Sequence, residues 1–373
     1  MKVPFADLGL AHKEIRTDLV KAINKVIVRG DFILGEEVRL LEKEFARFCE
    51  TRYAVGVSSG TAALFLALVS LGIKRGDEVI VPDFTYIATA MAVSYAGARP
   101  VFVDIEEDTY NIDTSQIKRV ITKKTKAIIP VHLYGQPAAM PEMLKIAKEH
   151  HLKVIEDAAQ AHGATFRAPD GKWVKAGAAS DIACFSFYPS KNLGGMGDGG
   201  MIVTDKADIY RKLLILRDCG RTSRYEHPVI GYNSRLDTLQ AAILRVKLRS
   251  LNKWNEARRR SALLYNKYFK DVLGVVTPVA SKNNKHIYHV YAIRVKNRDR
   301  VFQVLKKKGI GVIIHYPIPC HLQKAYKDLG YKRGDFPISE KVAQEIMSLP
   351  MFAHLEEKQI KFIVDIVREA LKE

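Results

Sequence analysis

Between residues 53 and 187, short apolar segments alternate with longer amphipathic ones. Each short segment is hydrophobic along nearly its whole length, and in chain order they are YAVGV, EVIVP, RPVFV, KAIIPV, LKVIE and IACFSF. Uninterrupted apolar strands are typical of parallel sheets that helices cover on both faces. The longer segments predict those helices, at 62–71, 87–95, 115–121 and 140–150. The pattern therefore predicts an α/β fold around a mainly parallel sheet.

The pattern changes after residue 237. An amphipathic segment predicts a long helix over 238–269, and the alternating segment YHVYAIRV and further helical segments follow it. Such a mixture predicts a second, smaller α+β domain. We place the division within the long helix, which gives a large domain over residues 1–245 and a small C-terminal domain over residues 246–373.

The composition is that of an ordinary globular protein, with 47% hydrophobic and 27% charged residues among 373. The longest apolar segment is far shorter than a membrane span, and the first residues lack the pattern of a signal peptide. The four cysteines lie far apart, and the spacing of His315 and His321 is a weak match to metal ligands. We therefore expect a cytoplasmic protein without membrane contacts and without a metal site.

The chain is strongly basic, with 59 basic and 41 acidic residues and a formal net charge of +18. The segment RVKLRSLNKWNEARRR (245–260) concentrates seven of the basic residues. It could be a solvated helix face, a nucleic-acid contact, or part of the field that attracts an anionic substrate such as a nucleotide diphosphate. No nucleic-acid motif accompanies it, so we expect no nucleic-acid partner. The charge alone does not separate the other two interpretations.

Candidate chemistry lies where the apolar segments end, because open parallel sheets bind ligands beyond the carboxyl ends of their strands. After YAVGV, the segment SSGT (58–61) precedes a predicted helix, so its hydroxyls and backbone N–H groups could bind an anion. A simple helix N-cap is the alternative. After EVIVP, Phe84 or Tyr86 could stack on a flat ring or could belong to the core.

Two charged residues follow later strands. Asp157 comes after LKVIE, where a buried carboxylate needs a cationic or hydrogen-bonding partner. It could cap a following helix, or it could hold a ring nitrogen protonated, with Gln160 and His162 nearby. Lys191 follows IACFSF, and the glycines after it match the dinucleotide-binding fingerprint. A strand is predicted after those glycines where the fingerprint needs a helix, so we exclude that function.

An anion site, an aromatic platform, a buried aspartate and a lysine on one sheet edge are the groups that hold pyridoxal 5'-phosphate. The lysine amine binds the aldehyde of this cofactor, and the carboxylate binds its pyridine nitrogen. Taken alone, Lys191 could be an ordinary solvated lysine. Its neighbours favour the cofactor site.

Ordered motifs run along nearly the whole chain and include FILGEEVRLLEKEFA, SSGTAAL, DEVIVPDFTYIAT, PVHLYGQPAAM, VIEDAAQAHGA, FSFYPSKNLGGMGDGG, GYNSRLDTLQAAIL and HYPIPCHLQ. With them the sequence resembles the sugar aminotransferases of the DegT/DnrJ/EryC1/StrS family. The resemblance implies fold type I of the pyridoxal phosphate-dependent transferases, with a seven-stranded type of sheet. It also implies homodimers whose active sites lie at the subunit interface.

The resemblance assigns roles to individual residues. Lys191 matches the lysine that binds the cofactor covalently, and Asp157 matches the aspartate at the pyridine nitrogen, so these two are the catalytic candidates. The other matches to cofactor contacts are Gln160 beside the ring hydroxyl, Tyr86 on the ring face, Ser59, Gly60, Thr61 and Ser186 around the phosphate, and Asn233 from the neighbouring subunit. SSGT departs slightly from the commoner NSGT, but a serine hydroxyl keeps a polar group there.

The family implies transfer of an amino group from L-glutamate to a nucleotide-linked keto-sugar, with pyridoxamine 5'-phosphate as the intermediate form of the cofactor. The motifs favour amination at C3 of a dTDP-3-keto-6-deoxyhexose or a UDP-3-keto-sugar. Amination at C4 and a non-catalytic regulatory role are the alternatives. Lys191 argues against the related deoxygenating dehydratases, which carry histidine at this position. Candidates for substrate contacts are His162, Tyr188, His315 and Tyr316, and the last two could instead pack the small domain.

Overall fold

The computed structural model describes residues 1–372. Its helices are α1 (Leu8–Glu14), α2 (Arg16–Arg29), α3 (Glu36–Cys49), α4 (Gly60–Ser70), α5 (Ala88–Tyr95), α6 (Ile117–Val120), α7 (Met140–Glu149), α8 (Ala207–Arg217), α9 (Thr238–Phe269), α10 (Arg298–Lys307), α11 (Pro337–Glu345) and α12 (Glu357–Lys372). Short 3-10 helices cover Thr114–Gln116, Leu133–Gly135, Cys320–Leu322 and Lys324–Leu329. Within residues 1–372, no helix combines the length and the apolar character that crossing a membrane requires.

The strands are β1 (Tyr53–Val57), β2 (Glu78–Pro82), β3 (Arg99–Val103), β4 (Thr125–Ile128), β5 (Lys153–Asp157), β6 (Thr165–Arg167), β7 (Trp173–Lys175), β8 (Ile182–Ser186), β9 (Gly200–Thr204), β10 (Val275–Val276), β11 (Asn284–Lys285), β12 (Tyr291–Val295) and β13 (Ile346–Leu349). Seven of them form the central sheet, in the order β1-β9-β8-β5-β4-β2-β3. In this sheet of the described chain, β9 alone runs opposite to the other six strands. The prediction of a mainly parallel α/β fold is therefore confirmed, and α9 has the predicted bounds.

Helices cover both faces of the central sheet, which explains why its strands are apolar throughout. Successive side chains of a strand point to opposite faces. In β8, Ile182 and Cys184 join the apolar cluster under α4, α5 and α8, whereas Ala183 and Phe185 join the cluster under α3 and α9. Because both faces of the central strands are buried, their polar residues lie at the strand ends, where a site can form.

The C-terminal part of the chain has its own apolar core. There β12 pairs antiparallel with β10 and β13, and α10, α12 and the end of α9 cover the small sheet. Along α9, Leu251 packs in the core of the large sheet, whereas Ala262, Tyr265 and Phe269 pack in the C-terminal core. The packing of the helix thus switches between residues 251 and 262, and the division at residue 245 stays a prediction. Val3 also belongs to the C-terminal core, which the predicted domain ranges did not include.

The basic segment 245–260 lies within α9, and most of its basic side chains are either buried or paired with a carboxylate. Five of its seven basic side chains are buried or paired: Arg245 with Glu37 and Glu44, Lys253 with Glu14, Arg259 with Glu256, and the buried Lys247 and Arg258. A nucleic-acid contact needs its cations free to meet phosphates. This arrangement favours a structural role for the segment.

Candidate active site

A cavity of about 450 Å³ opens where the carboxyl edge of the central sheet meets the C-terminal part of the chain. The ends of β5 and β8, the loop after β2 and the start of α4 form one side of it, and residues 289–290 and 315–316 form the other. The predicted residues that line it are Ser59, Gly60, Thr61, Tyr86, Asp157, Gln160, Ser186, Tyr188, Lys191, His315 and Tyr316. The fold therefore brings together all the predicted site residues except His162 and Asn233.

The start of α4 forms a cradle for an anion. Ser59 is the N-cap residue, and its Oγ accepts a hydrogen bond from Ala62 N at 3.1 Å. The other N–H groups of the first turn have no partner within the helix. A Cβ on Gly60 would lie 2.6 Å from the Cβ of Ser186, so only glycine lets the helix approach the end of β8 this closely. The helix N-terminus and the hydroxyls of Thr61 and Ser186 together suit a phosphate group.

Asp157 is buried at the end of β5, and its hydrogen-bonding partners are neutral. Thr89 Oγ1 donates to Oδ2 at 2.8 Å, and Ala159 N donates to Oδ1 at 3.1 Å. Burial raises the pKa of the carboxyl group, while these hydrogen bonds and the charge of Lys191 oppose the rise. Residues 158–164 form turns and not a helix, so the N-cap alternative does not apply. The carboxylate is suited to a cationic N–H group of a ligand.

Lys191 lies in the turn after β8 and lines the same cavity. Burial lowers the pKa of its ammonium group to about 8, and the negative charge of Asp157 opposes this shift. An ordinary lysine has a pKa near 10.5. Lys191 is therefore partly neutral in mildly alkaline solution, and the neutral amine is the form that attacks an aldehyde.

Gln160 and two tyrosines order another wall of the cavity. Tyr134 N donates to Gln160 Oε1 at 2.8 Å, and Gln160 Nε2 donates to Tyr316 Oη at 3.2 Å. The backbone N–H group fixes the orientation of the amide, because only its oxygen can accept. Tyr86 stands at the mouth, where its side chain is 57% exposed and its ring centroid lies 5.9 Å from that of Tyr316. An exposed ring beside a cavity suits stacking on a flat ligand.

Three of the four candidates for substrate contacts line the cavity: Tyr188, His315 and Tyr316. His315 also packs the C-terminal part, since its Nδ1 lies 2.9 Å from Ser348 Oγ. His162 is fully buried behind the cavity, against the rings of Phe185 and Phe187. Burial lowers the pKa of His162 to about 3, so its ring is neutral. We do not include His162 among the proposed substrate contacts.

Asn233 does not line the cavity of its own chain. It is exposed, and it lies in an extended segment that forms an isolated bridge with Asp218. A contact between Asn233 and a cofactor in the same chain is therefore not part of this arrangement.

The cavity also contains polar residues that the sequence interpretation did not name: Thr85, Thr89, Ser190, Asp198 and His289. Thr89 lies in the motif DFTYIAT, three residues after Tyr86, and helical spacing from Tyr86 could have identified it. His289 comes from the segment YHVY, far along the chain from Lys191. No local pattern connects the two residues, and only the packing of the C-terminal part onto the sheet brings them together.

The cavity fits pyridoxal 5'-phosphate. Glycine at position 60 lets a helix N-terminus approach Ser186, which makes the phosphate cradle. Asp157 offers a buried carboxylate with neutral partners for a pyridine nitrogen, and Lys191 offers a partly neutral amine for an aldehyde. In residues 1–372, no group of three or more His, Cys, Asp or Glu side chains is placed to hold a metal ion.

Two comparisons of the sequence agree with this geometry. The profile of the DegT/DnrJ/EryC1/StrS aminotransferase family matches residues 13–368. The chain is 45% identical over 369 residues to the UDP-N-acetyl-3-dehydro-alpha-D-glucosamine 3-aminotransferase of Acidithiobacillus ferrooxidans, which covers 99% of this chain and 98% of the relative. It is 44% identical over 371 residues to a Geobacillus stearothermophilus protein named pleiotropic regulatory protein, with 99% and 98% covered.

Solved structures are similar over the whole chain. The X-ray crystal structure of S. venezuelae DesV in complex with a ketimine intermediate has a TM-score of 0.96 and 43% sequence identity, with 100% of this chain and 99% of that chain covered. The structure of ntda from Bacillus subtilis with bound cofactor PMP has a TM-score of 0.89 and 31% identity, with 100% and 86% covered. These similarities confirm the predicted fold class and the predicted cofactor.

Proposed function

Because this chain belongs to the DegT/DnrJ/EryC1/StrS aminotransferase family and is a pyridoxal phosphate-dependent nucleotide-sugar aminotransferase, we propose that it transfers the amino group of L-glutamate to C3 of a nucleotide-linked 3-keto-sugar. The observation that carries the proposal is one cavity that holds Lys191, Asp157 and the phosphate cradle at the start of α4. Similarity to a 3-aminotransferase supports C3. The net charge of +18 suits a nucleotide diphosphate.

The cofactor, when bound, supplies an electron-withdrawing ring that stabilises negative charge on the carbon bearing the amino group. We assign its phosphate to the start of α4 and to Ser186, its ring nitrogen to Asp157, and its ring hydroxyl to Gln160. Tyr86 would cover the face of the cofactor ring. These assignments use groups that lie in one cavity and have hydrogen-bonding capacity or exposed ring surface to offer.

Lys191 Nζ both anchors the cofactor and moves the proton. With a pKa of about 8, the amine can take a proton from the substrate carbon, and the ammonium group can return it to a neighbouring carbon. Asp157, held in place by Thr89 and by the N–H group of Ala159, would balance the charge of a protonated ring nitrogen when the cofactor is bound. A charge pair of this kind is stronger inside the cavity than in water, because the local dielectric constant is lower.

A non-catalytic regulatory role is the alternative from a different class, since one similar protein is named a pleiotropic regulatory protein. A protein that had lost catalysis would not need to keep a lysine of lowered pKa beside a buried carboxylate. Both are present here. Within residues 1–372, no structural feature favours amination at C4 over C3. The expected cytoplasmic location stays a prediction.

We further propose a homodimer in which each cavity is completed by the neighbouring subunit. Asn233 is exposed and does not line the cavity of its own chain, so it is accessible to a neighbouring subunit. In addition, α2 exposes Val20, Ile27 and Val28, of which Val28 is 86% exposed. Exposed apolar side chains grouped on one helix are typical of an interface.

The first test is the absorbance spectrum of the purified protein with pyridoxal 5'-phosphate, before and after L-glutamate is added. We expect a band of lysine-bound cofactor that fades as pyridoxamine 5'-phosphate forms. A bound-cofactor band that glutamate does not change would exclude glutamate as the donor. A protein that binds no cofactor would exclude the enzymatic function altogether.

Two further tests address the dimer and the sugar. Sedimentation measures the oligomeric state, and mixing inactive K191A and N233A subunits should restore activity, because each mixed dimer then contains one complete site. The pyridoxamine phosphate form should convert a nucleotide-linked 3-keto-sugar and not the 4-keto isomer. Conversion of the 4-keto isomer alone would overturn the assignment to C3.

A further inference from the structure

We propose that His289 is an additional substrate-binding residue: a neutral imidazole with its hydrogen on Nδ1, which presents the lone pair of Nε2 to the cavity as a hydrogen-bond acceptor. The proposal rests on the proposed function and adds a specificity residue to the same site. A neutral acceptor at this place favours an O–H or N–H group of the substrate and disfavours a carboxylate.

The position of the hydrogen follows from a chain of hydrogen bonds that starts at a backbone carbonyl. The carbonyl of His162 can only accept, so Asn255 turns its Nδ2 toward it, at 2.8 Å. Asn255 Oδ1 then accepts from Asn192 Nδ2 at 2.8 Å, and the carbonyl of Ile287 accepts from the same nitrogen at 3.3 Å. Asn192 Oδ1 remains as the acceptor that faces His289 Nδ1, at 3.2 Å. Nδ1 is therefore the nitrogen that carries the hydrogen.

The surroundings of His289 keep its ring neutral. Burial lowers the pKa of His289 well below its usual value of 6.5, and the charges of Lys191 and Arg258 lower it further. A neutral imidazole with its hydrogen on Nδ1 has its free lone pair on Nε2. Within residues 1–372, Nε2 of His289 has no hydrogen-bond partner in the protein, and this atom is not sealed off from the solvent. Since His289 lines the cavity, the lone pair is available to a ligand there.

The backbone around His289 is held from several sides. His289 N donates to the carbonyl of Tyr134 at 2.8 Å, and Arg258 Nη1 donates to the carbonyls of Tyr288 and His289 at 3.2 Å each. Tyr134 and Tyr288 have φ angles of 56° and 47°, in the left-handed region that side chains with a Cβ rarely adopt. Such strain persists only where surrounding contacts impose it, and it concentrates at functional sites. The ring of His289 is thus presented to the cavity in a fixed position.

Two parts of the substrates offer a matching donor. The amino group of L-glutamate carries N–H groups, and the sugar of a nucleotide-linked substrate carries hydroxyl groups. The chemistry at Nε2 is the same for both, so the two half-reactions must be measured separately. The amino-donor half-reaction involves only L-glutamate, and the acceptor half-reaction involves only the keto-sugar.

The direct test is nitrogen NMR of cofactor-loaded protein labelled with ¹⁵N-histidine, which reports which ring nitrogen carries hydrogen without relying on turnover. We expect a protonated Nδ1 and an unprotonated Nε2 for His289 at neutral pH, assigned by loss of the signals in H289N. L-glutamate and UDP-N-acetylglucosamine, a non-reacting sugar probe, are then added in separate samples. The ligand whose N–H or O–H group donates a hydrogen bond to Nε2 should shift the Nε2 signal. An Nε2 that carries hydrogen, or a fully protonated ring, would overturn the proposal.

Two variants separate the acceptor from the support of the ring. In H289N the amide can still donate to Asn192 Oδ1 but offers no acceptor at the place of Nε2, whereas H289Q can put its amide oxygen near that place. We expect kcat/KM of one half-reaction to fall about tenfold in H289N, because one hydrogen bond to the substrate is lost. In H289Q, kcat/KM should recover.

Equal rates for H289N and the unchanged protein in both half-reactions would also overturn the proposal. Thermal unfolding of both variants controls for misfolding. A protein that transfers no amino group at all would fail the proposed function instead, and the nitrogen spectrum would still decide the state of His289.

Discussion

Asp157 and Asp83 occupy similar places in the fold but have different partners. Each stands at the carboxyl end of a parallel strand, β5 or β2, and each is buried. Asp157 binds two neutral donors and faces the cavity. Asp83 binds His321, whose Nδ1 and backbone nitrogen lie 2.7 and 2.8 Å from its two oxygens. A carboxylate that is paired with a cationic side chain stabilises the fold. A carboxylate whose partners are neutral can still form an ion pair with a ligand.

The same contrast separates two regions of the sheet edge. After β2 and the edge strand β3, Asp83 binds His321 and Asp104 binds the start of α11, where Ser339 N and Ile338 N donate to its oxygens at 2.8 and 2.9 Å. His321 Nε2 also lies 3.3 Å from Glu340 Oε1. The central strands β5 and β8 instead end at the cavity. The carboxylates after β2 and β3 bind the C-terminal part, whereas Asp157 at the end of β5 and Lys191 after β8 line the cavity.

The largest effect is expected at the cavity side, from K191A. Removal of the amine removes both the covalent anchor and the proton carrier, so the rate with L-glutamate should fall by at least about 10⁴-fold. Absorbance of the cofactor measures this rate. K191R is the matched control, since it keeps a cation but cannot bind the aldehyde in the same way. Retained activity in K191A would contradict the assignment of Lys191.

D157N tests the charge on the cavity side. The amide has the same size but cannot balance a protonated ring nitrogen, so kcat should fall by about 10²- to 10³-fold. The free energy of unfolding without cofactor should stay level or rise, because a buried carboxylate is removed from a place where burial disfavours it. Denaturant unfolding and steady-state kinetics measure the two quantities. A large loss of stability in D157N would show that Asp157, like Asp83, mainly stabilises the fold.

D83N should give the reverse result. The amide removes the carboxylate that binds Nδ1 of His321 and leaves only Glu340, at 3.3 Å from Nε2, and we expect a loss of about 3 kcal/mol in the free energy of unfolding. Activity per folded molecule should stay close to that of the unchanged protein, because Asp83 does not line the cavity. Comparison of D83N and D157N in the same two assays is the sharpest test of the contrast.

The smallest expected effect is the pH dependence of the stability that the pair of Asp83 and His321 contributes. Burial lowers the pKa of His321, but the hydrogen bond and charge of Asp83 and the nearby Glu340 outweigh burial, so the net pKa lies above 6.5. A raised folded-state pKa contributes stability that is fully present below pH 6.5 and is lost as the pH rises through the folded value. Burial also raises the pKa of Asp83, and the stability linked to this group is lost as the pH rises from 3.8 through its folded value.

Denaturant unfolding over a series of pH values measures this dependence. Relative to H321Q, the unchanged protein should lose stability above pH 6.5, with a slope of at most about 1.4 kcal/mol per pH unit for one proton. A stability difference between the two proteins that does not vary with pH would show that His321 does not titrate in this range.

Much of the fold follows from local pattern. The six apolar segments form strands of the central sheet, because the side chains of a wholly apolar strand are removed from water only when helices cover both faces of the sheet. Lys191 and Asp157 could be predicted because charged residues directly after such strands must meet at one edge. Thr89 was missed, although it lies in the first turn of α5, three residues after Tyr86. His162 was named for its nearness in sequence to Asp157, but the turns after β5 direct it into the core.

By itself, the sequence determined which segments become strands and which charged residues reach the sheet edge, because periodicity and strand ends are local properties. It did not determine which edge carboxylate faces a cation of the protein and which faces a cavity. Asp83 meets His321, and Lys191 shares a cavity with His289, only after the C-terminal part has packed on the sheet. Burial, pKa and the position of a hydrogen on a histidine depend on all the neighbours at once, and residues distant in the chain supply most of those neighbours.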